Sequence, residues 1–289
     1  MIVNEEYKAG KFKIPIHLAF GHEAIAVAMN HFMEGDDKLI LSHRNIAYNL
    51  ARHGRLKPIL DEYFLKPSGL AEGKLGSMNV INSQKGIIYS SSILGNNFSV
   101  ATGVAMAQKI LPQNGITIVL GGDGSIEEGT FHESLLMLKS LNLGAFVIVE
   151  NNEWSMSTRI DQRRCPIDLE KLTSSYNIKY VRLEGNNSIE YIEQLKKLRK
   201  LALDGMPVCI EVMVTTMGDW IMKTPENPNG KFVNYHAGPA PTVELKDWPL
   251  LIKTSEEDPI FVLNKHANSS VLEEMSREIR DEIKKDIST

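Results

Sequence analysis

The sequence predicts an α/β fold with a parallel central sheet and helices on both faces. Two apolar runs, 116–120 and 145–150, read as strands, and the segment between them, 128–141, reads as a helix. Together they form a strand, a crossover helix and a parallel strand. The rest of the chain continues this alternation of helices and strands, which is typical of a sheet covered on both sides.

The same patterns predict further elements on either side of that unit. From position 271 onward Leu272, Met275, Ile279 and Ile283 recur at helical spacing with charges between them, which indicates a packing helix. Asp258-Pro259 predicts a helix cap and first helical residue. The remaining predicted elements are helix 99–110, strand 178–183, helix 189–203 and strand 208–214.

Composition excludes several function classes. The 289 residues are 43% hydrophobic, which supplies a sizeable core, and the formal net charge of -4 gives no basic footprint for nucleic acid. The N-terminal residues are mixed and charged, and no apolar run approaches a membrane span, so we expect no membrane partner and a cytoplasmic location. The two cysteines, Cys165 and Cys209, imply no disulfide framework.

Both apolar runs of the central unit are followed by short polar segments, which are called the polar tips below. Gly121-Gly122-Asp123-Gly124 follows the first run, and Asn151-Asn152 follows the second. Because parallel strands about 4.8 Å apart end at one edge, Asp123 and Asn152 can share a ligand. Carboxylate, amide and carbonyl oxygens suit magnesium or calcium, and diphosphate oxygens complete the coordination. The glycines allow close approach of a phosphate; the alternative is an ordinary Gly-Asp-Gly turn.

Competing motifs are incomplete. A dinucleotide fingerprint requires a third glycine where Glu127 stands. A zinc-binding helix requires a second histidine where Ala26 and Leu136 stand. Gly73-Lys74 lacks the upstream glycine of a nucleotide-binding loop, and the chain contains no Gly-x-Ser-x-Gly elbow. These motifs therefore give no support for NAD binding, a zinc-binding helix, a nucleotide-binding loop or a serine nucleophile elbow.

The two tips carry a family resemblance. Gly122-Asp123-Gly124 with Asn151-Asn152 resembles the signature by which thiamine-diphosphate enzymes hold magnesium and the cofactor diphosphate, and the spacing from Asp123 to Asn152 is similar to that in the alpha subunits of 2-oxo acid dehydrogenases. The resemblance covers roughly residues 12–240. It implies that 1–289 is a single diphosphate-binding α/β domain with N-terminal and C-terminal helical extensions.

Four other segments extend the resemblance. Segment 17–24 resembles the first helix entrance of those alpha subunits, and segment 73–78 resembles their Gly-Lys-Gly-Gly-Ser-Met loop. Leu41-Ser42-His43-Arg44 resembles their Tyr-Arg pair that contacts the diphosphate, with His43 in place of the tyrosine. Segment 91–95 resembles the segment whose backbone holds the aminopyrimidine ring.

The resemblance implies roles for individual residues. Asp123 and Asn152, with the carbonyl of Trp154, would bind magnesium. Arg44 would neutralise phosphate charge, because its planar guanidinium presents several N–H donors to phosphate oxygens. The alternative is an ordinary surface arginine. The implied cofactor-binding residues are His43, Arg44, Ser92, Leu94, Gly122, Asp123, Gly124, Ser125 and Asn152.

The later part of the chain resembles transketolase instead. Segments 131–134 and 235–241 are similar to transketolase segments, and the dehydrogenase Tyr-Gly-His-Ser signature is absent. His17 and His236 are candidate catalytic histidines, each weighed against a structural role. Glu128 is a third candidate, by similarity to acids at the transketolase subunit contact; the alternative is an acidic first helical turn.

The resemblance implies a subunit of a two-chain enzyme with thiamine diphosphate and Mg²⁺ as cofactors and a small keto substrate. Oxidative decarboxylation of a 2-oxo acid is the first interpretation, ketol transfer by a split transketolase the second, and a noncatalytic regulatory subunit the third. A second chain with a pyrimidine-binding domain, either a beta subunit or the C-terminal half of a transketolase, would supply the activating glutamate, and we expect a heterotetramer. Loop 155–166, with Arg159, Arg163 and Arg164, is either a flap or a solvated basic turn.

Overall fold

The computed structural model describes residues 1–111, 114–246 and 248–288. The strands are β1 (Lys38–Ser42), β2 (Ile87–Ser91), β3 (Thr117–Gly122), β4 (Ala145–Asn151), β5 (Trp154–Ser155), β6 (Thr158–Arg159), β7 (Lys179–Leu183), β8 (Val208–Met213), β9 (Trp220–Thr224) and β10 (Asn227–Val233). The α-helices are α1 (Ile2–Lys8), α2 (Glu23–Phe32), α3 (Ile46–His53), α4 (Lys57–Tyr63), α5 (Asn96–Ile110), α6 (Gly129–Ser140), α7 (Ile160–Arg163), α8 (Leu169–Ser175), α9 (Ser188–Leu203), α10 (Pro259–His266) and α11 (Ser269–Ser288).

Six strands form the central sheet in the order β2-β1-β3-β4-β8-β7, and every neighbouring pair is parallel. The predicted fold class is therefore confirmed. The predicted strands and helices lie within three residues of β3, β4, β7, β8, α5, α6, α9, α10 and α11. The hairpin of β9 and β10 is antiparallel and was not predicted.

Helices cover both faces of this sheet because alternate strand residues point to opposite sides. On one side Ile118 and Ile148 belong to the core cluster that includes α2 and α9. On the other side Val119 and Val147 belong to the cluster that includes α5 and α6. The central strands are thus buried on both faces, which explains their continuous apolar runs.

The order of the strands opens a crevice at the carboxyl edge. β1 lies between β2 and β3 in the sheet. The connection that leaves β1 leads to β2 on one side, whereas the connection that leaves β3 leads to β4 on the other side, so the two connections diverge at the carboxyl edge. Such switch points are where open α/β sheets bind ligands. The segments that follow β2, β1, β3 and β4 therefore share one rim.

Two segments outside the sheet close this rim. The buried Tyr235 hydroxyl donates to the Gly238 carbonyl oxygen at 2.6 Å, and the Gly238 N–H donates to the Ile16 carbonyl oxygen at 3.1 Å. These bonds hold segment 235–238 against segment 16–18. Gly21 has φ +97°, and a Cβ there would lie 2.0 Å from the Thr215 carbonyl oxygen, so only glycine lets these backbones meet.

The final helix α11 lies at the end of the chain, as predicted, and packs on α4. Met275 and Ile279 are about half exposed at 50% and 51%, whereas Ile283 packs against a buried core cluster. In the described part of the chain no helix combines the length and apolar character needed to cross a membrane. Assignment of the whole chain to one domain remains a prediction.

Candidate functional site

A cavity of about 260 Å³ lies at the carboxyl edge of the sheet. All but one of the sequence-predicted site residues line it. They are His17, His43, Arg44, Ser92, Leu94, Gly122, Asp123, Gly124, Ser125, Asn152, Trp154 and His236. Leu94 and Met156, exposed by 47% and 64%, are the most exposed large apolar side chains in this lining.

Glu128 is the exception. It is exposed at the start of α6, where its side chain packs beside Gly95, and it does not line the cavity. The strand-to-helix turn directs this position to the surface. A role for Glu128 at a subunit contact remains a prediction.

Asp123 and Asn152 meet at the rim, as their positions after neighbouring strands require. Gly122 of β3 pairs with Glu150 of β4, which sets the two following tips side by side. The backbone N–H of Asn152 faces the Asp123 carboxylate and acts to lower its pKa. Asp123 is 1% exposed, and this burial raises its pKa, although the adjacent Arg163 opposes the shift.

Arg163 brings a positive charge to this carboxylate. Its Nη2 forms an ion pair with Asp123, its Nε lies 2.7 Å from Glu127 Oε1, and Arg164 Nε lies 2.8 Å from the same oxygen. Burial lowers the pKa of Arg163, but its pairing with Asp123 and Glu127 outweighs that and raises it. The side chains of Arg163 and Arg164 are only 12% and 11% exposed, so a solvated basic turn is wrong for these two residues.

The rest of loop 155–166 is also folded, and its predicted role as a mobile flap remains a prediction. β5 and β6 form a short hairpin, and α7 follows at once. The Arg159 guanidinium carbon lies 5.6 Å from the Trp154 ring centroid, a cation–π contact, while its side chain remains 52% exposed. Nothing local in 155–166 specifies the contact with Asp123, so the residues of this segment alone do not distinguish a flap from a turn.

His17, His43 and His236 form a second group, the histidine cluster. The ring centroid of His17 lies 4.6 Å from that of His43 and 4.8 Å from that of His236. Burial first, together with the nearby Arg44 charge, lowers the pKa of His17 to about 3, of His43 to about 2 and of His236 to about 4. All three rings are therefore neutral at pH 7, with one donor and one acceptor nitrogen each.

Several polar atoms around the histidine cluster are buried without partners. Among the described residues His17 Nδ1, His43 Nε2 and Arg44 Nη1 make no hydrogen bond. Arg44 Nη2 lies 3.4 Å from His236 Nδ1, and burial lowers the pKa of Arg44. Buried polar groups without partners are costly, so a polar ligand that reaches them would be stabilised.

The donor set fits both a divalent cation and an anion. Asp123 and Asn152 offer the hard oxygen ligands that magnesium prefers. In the same cavity Arg44 and the imidazoles offer N–H donors suited to phosphate oxygens. Trp154 also lines the cavity, where its backbone N–H donates to Asn152 Oδ1 at 3.2 Å, and coordination by its carbonyl remains a prediction.

Further residues contact this site that were not predicted as site residues, and His22, Glu150 and Thr216 are among them. His22 and Glu150 line the cavity, and Thr216 accepts a 2.7 Å hydrogen bond from the Asn152 side chain. One signal was present for Glu150, because a charged residue ends an otherwise apolar buried strand. Thr216 approaches from the segment after β8, at 64 residues' separation from Asn152, and no local pattern indicates that contact.

The fold and the cavity together define a class of protein: α/β proteins with a polar crevice at the carboxyl edge of a parallel sheet, which is where open α/β sheets bind their ligands. The family model "Dehydrogenase E1 component" matches residues 2–222. The chain therefore belongs to the dehydrogenase E1 component family. The predicted resemblance to thiamine-diphosphate-dependent 2-oxo acid dehydrogenase alpha subunits is confirmed.

Individual relatives agree with this family. The chain is 28% identical over 212 residues to the alpha subunit of acetoin:2,6-dichlorophenolindophenol oxidoreductase from Bacillus subtilis, covering 73% of this chain and 64% of the relative. It is 26% identical over 279 residues to the pyruvate dehydrogenase E1 alpha subunit of Rickettsia prowazekii, covering 96% and 82%. The corresponding subunit of Rickettsia bellii is 25% identical over 269 residues, covering 93% and 79%.

Proposed function

We propose that this chain is the diphosphate- and magnesium-binding subunit of a two-chain, thiamine-diphosphate-dependent enzyme that oxidatively decarboxylates a 2-oxo acid. The observation that carries the proposal is the pairing of buried Asp123 with Asn152 at the rim of the sheet. Membership of the dehydrogenase E1 component family supports it. A cytoplasmic location remains a prediction from the sequence.

Different groups of cavity residues have different roles in this proposal. Asp123, the Asn152 side-chain oxygen and the Trp154 carbonyl hold Mg²⁺. Arg44 and His43 bind the diphosphate, and Ser92 and Leu94 contact the aminopyrimidine end. Thiamine diphosphate, when bound, supplies the chemistry that cleaves the bond beside the keto group. The neutral histidines His17 and His236 donate and accept protons near the substrate.

A partner chain completes the site at its exposed side. Ile93 and Leu94, 68% and 47% exposed, lie beside the cavity at the start of α5. Large apolar residues continue along α5 and α6, where Ile110 is 80% and Leu136 is 52% exposed. Exposed apolar surface of this kind is typical of a protein–protein contact. We propose that a chain with the pyrimidine-binding domain covers it in a heterotetramer.

Ketol transfer is a second candidate, favoured by the histidine cluster. Three neutral imidazoles whose ligand nitrogens lie within 4.8 Å of one another can hydrogen-bond several hydroxyl groups of a ketose. A simple 2-oxo acid offers fewer such groups. His236, on which this second candidate depends, lies outside the matched residues 2–222.

Thermal shift with Mg²⁺ and thiamine diphosphate tests the cofactor site. Wild-type protein is expected to be stabilised only when both are present, and Asp123→Ala is expected to abolish the shift. Asp161→Ala is the matched control, because this carboxylate is 76% exposed and outside the cavity. A wild type that shows no cofactor-dependent shift would favour a noncatalytic subunit.

The reaction is tested with the copurifying chain present. We expect turnover of a 2-oxo acid with an artificial electron acceptor, and no turnover by this chain alone. Cleavage of a ketose donor without an electron acceptor would support ketol transfer instead. Turnover of any keto donor by this single polypeptide would contradict the two-chain proposal.

A further inference from the structure

We propose that Thr216, held by His22 and Glu150, is a positioning residue that fixes the Asn152 amide with its oxygen toward the metal. This inference rests on the proposed magnesium site. Asn152 Nδ2 donates to Thr216 Oγ1 at 2.7 Å, and Thr216 Oγ1 lies 2.9 Å from His22 Nε2. His22 Nδ1 in turn lies 3.3 Å from Glu150 Oε1.

The backbone N–H of Trp154 determines which way the Asn152 amide faces, because a backbone N–H can only donate. It donates to Asn152 Oδ1 at 3.2 Å. Asn152 Nδ2 then faces Thr216 Oγ1, and the Thr216 hydroxyl has His22 Nε2 at 2.9 Å as the acceptor for its own proton.

With its proton committed to His22, the Thr216 oxygen can only accept from Asn152. The amide NH₂ therefore faces Thr216, and the amide oxygen remains for the cavity and for the Trp154 N–H at 3.2 Å. A reversed amide would set its NH₂ against that N–H and its oxygen against Thr216 Oγ1. Both contacts would be repulsive.

Water cannot substitute for a member of this chain. Glu150 is 4% exposed, and His22 and Thr216 are each 1% exposed. In such a dry environment an unpaired donor or acceptor is costly, so the network favours one arrangement strongly. Residues that orient a metal ligand from outside the coordination sphere typically change metal affinity 10–100-fold when mutated.

Mn²⁺ affinity provides the test, because the free ion is measured by electron paramagnetic resonance independently of turnover. The full-length protein is titrated with Mn²⁺ in the presence of thiamine diphosphate. Thr216→Val removes the hydroxyl at constant shape, and we expect the dissociation constant to rise about 10-fold or more. Thr216→Ser restores the hydroxyl and should return affinity to within about 3-fold of wild type.

Thr173→Val is the matched control, since Thr173 is a fully buried threonine in α8 whose hydroxyl bonds the Leu169 carbonyl oxygen. It should leave Mn²⁺ affinity unchanged. His22→Phe provides an independent variant: it removes the acceptor nitrogen, frees the Thr216 proton and should weaken Mn²⁺ binding in the same direction.

The outcomes separate this inference from the function on which it rests. Wild-type affinity for Mn²⁺ in folded Thr216→Val or His22→Phe protein would overturn the positioning role and leave the metal site intact. A wild type that binds no Mn²⁺ would contradict the metal site of the proposed function itself. Equal weakening by Thr173→Val would assign the effect to general loss of packing and overturn the positioning role.

Discussion

Acidification is expected to destabilise the fold through the histidine cluster. In the folded protein burial first, then His236 and Arg44, lower the pKa of His17 from 6.5 to about 3. Below pH 6.5 His17 is protonated in the unfolded chain but stays neutral in the folded chain. The free energy of unfolding therefore decreases as the pH is lowered, until the pH reaches the pKa of His17 in the folded protein. At about 1.4 kcal/mol per pH unit, His17 alone accounts for a loss of about 2 kcal/mol at about pH 5.

His17→Asn isolates this contribution, because asparagine retains polar atoms and does not titrate. Urea unfolding of wild type and variant at about pH 7.5 and about pH 5 gives the free energy of unfolding at each pH. We expect the wild type to lose about 2 kcal/mol more than the variant between these conditions. His132→Asn on α6, outside the cluster, should follow the wild-type curve. Parallel curves for wild type and His17→Asn would refute the reasoning.

Two other charged contacts make separate predictions. Arg163 and a divalent cation bind the same carboxylate, so Arg163→Gln is expected to tighten Mg²⁺ binding severalfold by calorimetry; unchanged or weaker binding would contradict competition for Asp123. Arg199 forms a buried bidentate ion pair with Asp37, with N–O distances of 2.6 and 3.0 Å. Arg199→Met should therefore lower the free energy of unfolding by about 3 kcal/mol or more. The control Arg182→Met, at a side chain that is 50% exposed, should lower it by less than about 1 kcal/mol.

Local pattern was sufficient for the centre of the fold. β3 and β4 are long apolar runs ended by polar tips, and the parallel crossover between them fixes where those tips meet. The positions of Asp123 and Asn152 follow from that rule alone. β1 and β2 were not predicted because each has only three apolar residues in succession, at 39–41 and 87–89, and no alternation of apolar and polar residues. β10 was missed because Asn227–Val233 contains proline and glycine and reads as a turn.

Contacts between distant segments could not be predicted from residue spacing. Loop 155–166 has no regular period, so its approach to Asp123 depends on tertiary contacts such as the Arg163 ion pair. The histidine cluster is assembled from three separate segments, and Tyr235 brings two of them together. Family resemblance identified these histidines individually, whereas their mutual contact is a property of the fold.

The apolar flank of α5 and α6 bears on how the cell must make this protein. Ile93 and Ile110, exposed by 68% and 80%, would attract other chains in a crowded solution until covered. Synthesis of this polypeptide and its counterpart should consequently be balanced in amount and timing. Production of this one in excess should yield insoluble material that simultaneous expression of the counterpart prevents.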